Sequence, residues 1–119
     1  MTALPMSEND LLTNVLDLAA NVHIRTAHFR PAKTEKGWRT AVQGDGKGFP
    51  DVVLVGPGGV LWRELKNATN GLDADQRLWR DALIAAGANW ALWRPKDWPE
   101  PITTQILALR RAVKETSNA

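Results

Sequence analysis

Asp51, Glu64 and Lys66 are the residues of this chain whose types and spacing could do chemistry. Pro50-Asp51 is followed, thirteen positions on, by Glu64-Leu65-Lys66. Two carboxylates can share a hard divalent cation such as Mg²⁺ or Mn²⁺, which keeps several waters and accepts a phosphate oxygen. Such an ion polarises a phosphodiester and eases deprotonation of an attacking water. A lysine beside it can orient that water and stabilise the charge of a pentavalent transition state. The set therefore points to metal-dependent phosphodiester hydrolysis. Taken alone, Glu-x-Lys also fits a solvated strand face and Pro-Asp an ordinary turn, so the weight rests on what brings them together.

The intervening residues predict a hairpin. Val52-Val53-Leu54-Val55 is too short for a stable helix and rich in β-branched side chains, so it reads as a buried strand. Gly56-Pro57-Gly58-Gly59 reads as the turn, and residues 60–66 as the returning strand. Asp51 then opens one arm and Glu64 lies near the end of the other, so antiparallel pairing brings both acids to one end. Alternation puts Glu64 and Lys66 on the same face.

The rest of the chain must position that hairpin. Residues 7–20 read as an amphipathic helix with Ser7 as N-cap, Asp10 three positions on, and Leu11, Leu12, Val15, Leu16 and Leu18 forming an apolar stripe. Glu8 sits in its first turn, where an acid also opposes the helix macrodipole, and Asp10 and Asp17 are rival acids. Residues 22–29 read as a strand with Ile24, Thr26 and His28 on one face, His28 being buried or turned to phosphate. Residues 31–48 show no period and read as a flexible basic loop over the site. Its Lys33, Lys36, Arg39 and Lys47, with His28 and Arg30 just before it, are candidates for nucleic-acid phosphates, and Trp38 for stacking on a base; a solvated loop accounts for the same composition. Gly44-Asp45-Gly46-Lys47-Gly48 lacks the Ser/Thr of a phosphate loop, so no nucleotide cofactor is expected.

A helix is expected over 74–86, with Asp73 and Gln76 as a capping box and Leu78, Trp79, Ala82, Leu83 and Ala86 as its buried stripe. Gln76 can be purely a cap or can turn its amide toward Lys66 and the metal's water. Residues 89–94 read as a strand, and Ile102, Ile106, Leu109 and Val113 mark a last helix. Trp79, Trp90 and Trp93 are read as core or interface residues. The order predicts an α/β fold with a mixed central sheet flanked by helices.

Composition sets bounds on the partners. At 119 residues the chain suits one domain, spanning 1–119. It has no cysteine, which excludes thiol chemistry and zinc-thiolate sites and suits a reducing, cytoplasmic setting. No apolar run approaches the ~18 residues of a membrane span. Net charge is only +2, but the first 22 residues hold no Lys or Arg, so positive charge gathers downstream, including Arg110, Arg111 and Lys114.

Across most of its length the chain resembles the PD-(D/E)XK nuclease superfamily, and within it the standalone VRR-NUC domains of phages and bacteria. The likeness is carried by Gly48-Phe49-Pro50-Asp51, Glu64-Leu65-Lys66, Gln76 with Trp79 and Leu83, Gly87, and Trp93-Arg94-Pro95 with Asp97-Trp98. The resemblance implies a restriction-endonuclease-like αβββαβ core plus a C-terminal helix. It further implies a Mg²⁺- or Mn²⁺-dependent DNA endonuclease with Asp51, Glu64 and the Leu65 carbonyl as metal ligands and Lys66 as the catalytic lysine. By the same likeness Glu8 is the N-terminal-helix acid of the metal site, and Gln76 the glutamine after the lysine. Members of this size are similar to Holliday-junction resolvases, which implies branched DNA as substrate, a homodimer, and the cytoplasm of a bacterial host as location. A non-catalytic nucleic-acid-binding module of the same fold, or a nuclease for flap DNA, single strands or RNA, are the competing readings.

Overall fold

The computed structural model describes residues 5–29, 32–34, 37–39 and 43–112. Helix α1 (Glu8–Asn21) starts where the Ser7 hydroxyl accepts the Asp10 N–H at 3.0 Å and the Asp10 carboxylate accepts the Ser7 N–H at 3.1 Å. This reciprocal cap satisfies two amides that the first helical turn leaves without partners. It also occupies Asp10. Leu11, Leu12, Val15 and Ala19 form the buried face. The helix closes at His23, which takes a left-handed φ of 63°, and the Ile24 N–H reaches back to the Ala19 carbonyl at 2.8 Å. For that reason the first strand begins at Arg25 and not at residue 22.

Strands β1 (Arg25–His28), β2 (Ala32–Thr34), β3 (Gly37–Arg39), β4 (Val52–Gly56) and β5 (Gly59–Leu65) follow, then helix α2 (Ala74–Ala85), strand β6 (Asn89–Trp93), a 3₁₀ turn (Pro95–Asp97) and helix α3 (Ile102–Ala108). One sheet runs β1-β4-β5-β6, with the first two pairings antiparallel and β5-β6 parallel. A parallel neighbour cannot be reached by a tight turn, and α2 is the crossover that reaches it. The fold is thus α/β with a four-stranded mixed sheet and three helices.

Residues 31–48, expected as a loop without period, hold a two-stranded antiparallel ribbon of β2 and β3, with Lys33 opposite Trp38. Three-residue strands are too short to leave an alternating pattern in the sequence. Arg30, Lys36 and Val113 lie outside the described residues.

Side-chain alternation sorts the sheet into two faces. Val52, Leu54, Leu61, Leu65 and Trp93 pack with α1 and with Ile102 and Ile106 of α3 in one core, each contributing roughly 1.5–3 kcal/mol of burial. The opposite face carries Trp62, Glu64 and α2. Helix α2 buries no residue completely, and Leu78 is 68% exposed. Its inward side is the half-buried Gln76, Trp79, Arg80 and Leu83; of the expected stripe Trp79 and Leu83 face inward while Leu78, Ala82 and Ala86 are exposed, because the helix meets the sheet mainly along β6. Of the three tryptophans assigned to the core, Trp93 is buried while Trp79 and Trp90 are half-buried. No helix among the described residues is long and apolar enough to cross a membrane.

Candidate active site

β5 outruns its partner β4. The ladder stops with Val52 opposite Arg63, so the Leu65 N–H that turns toward β4 has no strand carbonyl to meet. The Asp51 carboxylate takes its place, with Oδ2 accepting that N–H at 2.8 Å. On the other edge the Lys66 N–H continues the β5-β6 ladder to the Trp93 carbonyl at 3.1 Å. Backbone hydrogen bonding therefore draws Asp51 against the end of β5, beside Glu64 and next to Lys66, which follows the strand directly.

Glu64 is only 2% exposed. Burial first, then the charge of the Asp51 carboxylate beside it, push its carboxyl up to about 9, with Lys66 pulling the other way. Burial disfavours the charged form of an acid, and a second carboxylate at contact compounds the effect. The Gln76 amide also reaches this group, its Nε2 donating to Glu64 Oε1 at 2.8 Å. The orientation of that amide is fixed by its other end, because Oε1 accepts the Asp73 N–H at 2.9 Å while the Gln76 N–H goes to Asp73 Oδ1 at 2.9 Å. Gln76 is accordingly both the cap of α2 and a partner of Glu64.

Glu8 comes to the same place from α1. Partial burial and the Asp51 charge hold its carboxyl above the usual range, with Lys66 again opposing. Glu8, Asn9, Leu12, His28, Phe29, Asp51 and Leu65 line a cleft of about 230 Å³. Of the rival helix acids, Asp10 is held by its cap, and Glu8 is the one that feels Asp51.

The basic candidates divide. His28 lines the cleft, whereas Lys47 forms an exposed 3.4 Å ion pair with Asp75 in the first turn of α2. Lys33 lies mid-way along β2 and Arg39 at the end of β3, and Arg30 and Lys36 fall outside the described residues. The segment around Lys47 docks on α2. The Trp79 indole donates to the Asp45 carbonyl at 2.8 Å, and Phe49 stands edge-on to Phe29, Trp62 and Trp79 at centroid distances of 5.0, 5.9 and 4.9 Å. Gly48 completes the contact with φ +81°; a Cβ there would fall 2.5 Å from the Asp75 carbonyl carbon and 2.6 Å from the Gln76 nitrogen. This role of Gly48 in seating Gln76 was hidden in the sequence, where a glycine among four nearby glycines carries no distinguishing signal.

Among the described residues no three His, Asp or Glu side chains form a ready-made ion cage. The donor set is a carboxylate pair, Asp51 and Glu64, with Glu8 close enough to be felt. Mg²⁺ is commonly held by one or two carboxylates plus water and substrate phosphate, so a pair fits that ion better than a multi-ligand cation. A buried glutamate pressed against a second carboxylate is also held protonated, and a divalent ion would supply the charge that lets both ionise.

Comparison of the chain with protein-family models, with curated proteins and with solved structures finds no match.

Two outcomes follow from this geometry. Glu64 has an ordinary value of 4.5 and a folded one of about 9, so between them the folded chain keeps a proton that the unfolded chain has lost, and stability falls as pH rises through that window. In EDTA the thermal midpoint is expected to fall from about pH 5 to about pH 9. Glu64→Gln should flatten the slope, and Mg²⁺ should raise the wild-type midpoint most at the alkaline end. Equal slopes for wild type and variant would contradict the assignment. For the Gly48 contact, Gly48→Ala is expected to lose about 1–3 kcal/mol in urea denaturation. Gly87, with the same φ of +81° but nothing within 4 Å of a Cβ, is the control and should lose only the backbone share when changed to alanine.

Proposed function

We propose that this chain is a metal-dependent, structure-selective DNA endonuclease that hydrolyses phosphodiester bonds, acting on branched DNA such as four-way junctions. One observation carries the reading. A buried glutamate lies against a second carboxylate, Asp51, which lines a cleft together with Glu8, and a lysine follows two residues later, just past the end of the strand. Carboxylate pairs of this kind are costly to keep in a folded chain unless a cation neutralises them.

The residues have distinct tasks in this account. Asp51 and Glu64, with the Leu65 carbonyl, would hold Mg²⁺ or Mn²⁺, and Glu8 would add a further carboxylate from α1. The ion supplies Lewis acidity toward a phosphate oxygen and lowers the pKa of water. Gln76 donates to Glu64 and so keeps one carboxylate oxygen in a fixed direction. Lys66 orients the attacking water and stabilises charge building on the phosphate. His28, in the cleft wall, is assigned to a phosphate oxygen, and the basic residues of the sequence from Arg30 to Lys47, namely Arg30, Lys33, Lys36, Arg39 and Lys47, are the further candidates for the nucleic-acid backbone.

The order helix, three antiparallel strands, helix and parallel strand supports a restriction-endonuclease-like core and, with Gly48-Phe49-Pro50-Asp51 and Glu64-Leu65-Lys66, membership of the PD-(D/E)XK superfamily near its VRR-NUC branch. A homodimer fits a substrate with two symmetric strands to cut. The absence of cysteine suits the cytoplasm.

The test is cleavage of a labelled four-way junction beside matched duplex, flap and single-stranded DNA, with Mg²⁺, Mn²⁺ or EDTA. Paired cuts in the junction, abolished by EDTA, are expected. Lys66→Ala and Asp51→Asn should each reduce cleavage by at least about a hundredfold while leaving junction binding within about twofold. Metal-dependent cutting confined to another substrate would keep the nuclease and replace the junction. Cleavage retained in both variants would overturn the mechanism.

A further inference from the structure

Arg63 is buried on the face of β5 opposite Glu64, and among the described residues no acid balances it. It is 2% exposed, and its guanidinium stands 4.9 Å from the centre of the Trp93 ring. All its acceptors are neutral. Nη1 donates to the carbonyls of Trp62 at 3.1 Å and Asn89 at 2.6 Å, and Nη2 to the side-chain oxygens of Asn89 at 3.1 Å and Gln105 at 2.9 Å. Its Nε is buried without a partner. A guanidinium keeps its charge at neutral pH even in a buried setting. A charge so placed, without an anion, is costly.

These bonds also fix two amides. An arginine only donates, so Asn89 and Gln105 must turn their oxygens to it. The Trp93 indole N–H reinforces this by donating to the same Gln105 oxygen at 3.1 Å. The NH₂ ends of both amides are therefore on the side away from the guanidinium. Both residues line a cleft of about 710 Å³ bounded by Gly58, Arg63, Ala88 and Ala108, and among the described residues no Asp or Glu lines it. Beyond Ala108 the adjoining recess is lined by Arg110 and Arg111, neither of which has an ion pair among the described residues. Among the described residues the cleft thus has no acid in its lining and is backed by one buried and two exposed positive charges.

We propose that this cleft between the β4-β5 turn, the start of β6 and α3 is a phosphate-binding site, its ligand held by the NH₂ groups of Asn89 and Gln105 over the buried charge of Arg63. A tetrahedral anion can accept from both amides at once. Its charge supplies the counterion that Arg63 lacks, and Arg110 and Arg111 extend the field toward solvent. The site lies across the sheet from the carboxylate pair and does not depend on the nuclease reading. The phosphate belongs either to a nucleic-acid backbone or to a small phosphorylated molecule.

The test is ¹⁵N NMR of the full chain in EDTA, titrated at constant ionic strength first with inorganic phosphate and then, separately, with a short DNA duplex. The side-chain NH₂ resonances of Asn89 and Gln105 are expected to shift saturably with inorganic phosphate. Gln105→Glu sets a carboxylate against Arg63 in place of the amide, which supports the fold while removing the donor and repelling the ligand. It should weaken phosphate binding about tenfold or more. Asn89→Asp applies the same exchange at the second amide and decides the matter where the first variant does not give a folded spectrum. Saturable shifts of the same resonances with duplex assign the phosphate to nucleic acid. Shifts with inorganic phosphate alone assign it to a small phosphorylated ligand. No shift with either probe, or undiminished binding in the folded variants, overturns the site.

Discussion

The contact between the buried Glu64 carboxyl and Asp51 is the constraint on which the site depends. Asp51 is there because β5 runs past the end of β4, leaving the Leu65 amide to be met by a side chain and not by a strand. Glu64 is there because alternation along β5 turns it away from the α1 and α3 core, toward α2. Two acids meet where a hairpin ends, one of them out of reach of water, and the unfavourable charge is what a divalent cation would relieve. The same alternation turns the preceding residue, Arg63, into the opposite face. One strand thus buries an acid and a base in consecutive positions, each on its own side of the sheet, and each without a full counter-charge in its surroundings.

Support for this arrangement comes from helix ends. The Ser7-Asp10 cap starts α1 so that Glu8 stands at the cleft mouth, and the Asp73-Gln76 cap starts α2 so that Gln76 can donate to Glu64. Gly48 allows the preceding segment to lie directly on the first turn of α2, and the ring contacts of Phe49 hold it there. The catalytic reading therefore draws on capping and close packing as much as on the acids themselves. A helix whose register is set at its first turn delivers a side chain with little residual freedom.

Much of this was legible in the sequence because it is local. The β-branched run after Asp51 and the Gly-Pro-Gly-Gly turn specify the hairpin, and antiparallel pairing alone puts Asp51 and Glu64 at one end. Both capping boxes can be read from spacing. What was not legible is tertiary or too short. Whether Gln76 caps its helix or reaches the site was open, and it does both. The choice of Glu8 over Asp10 depends on how α1 crosses the strand ends, which no periodicity encodes. The ribbon of β2 and β3 is too brief to carry a pattern, and the inward side of α2 is turned from the one its apolar residues suggest because β6, not the sheet centre, receives it. Arg63 had a signal that was passed over: in Leu61-Arg63-Leu65 a cation stands at a position that alternation assigns to the core.

The central claim is that Glu64 and Asp51 form a cation site, and the most direct measurement is a ¹³C NMR titration of the Glu64 side-chain carboxyl, in EDTA and again with Mg²⁺. The account predicts a midpoint far above 4.5, near 9, without the cation and a large downward shift with it. An ordinary midpoint that Mg²⁺ leaves unchanged would contradict it.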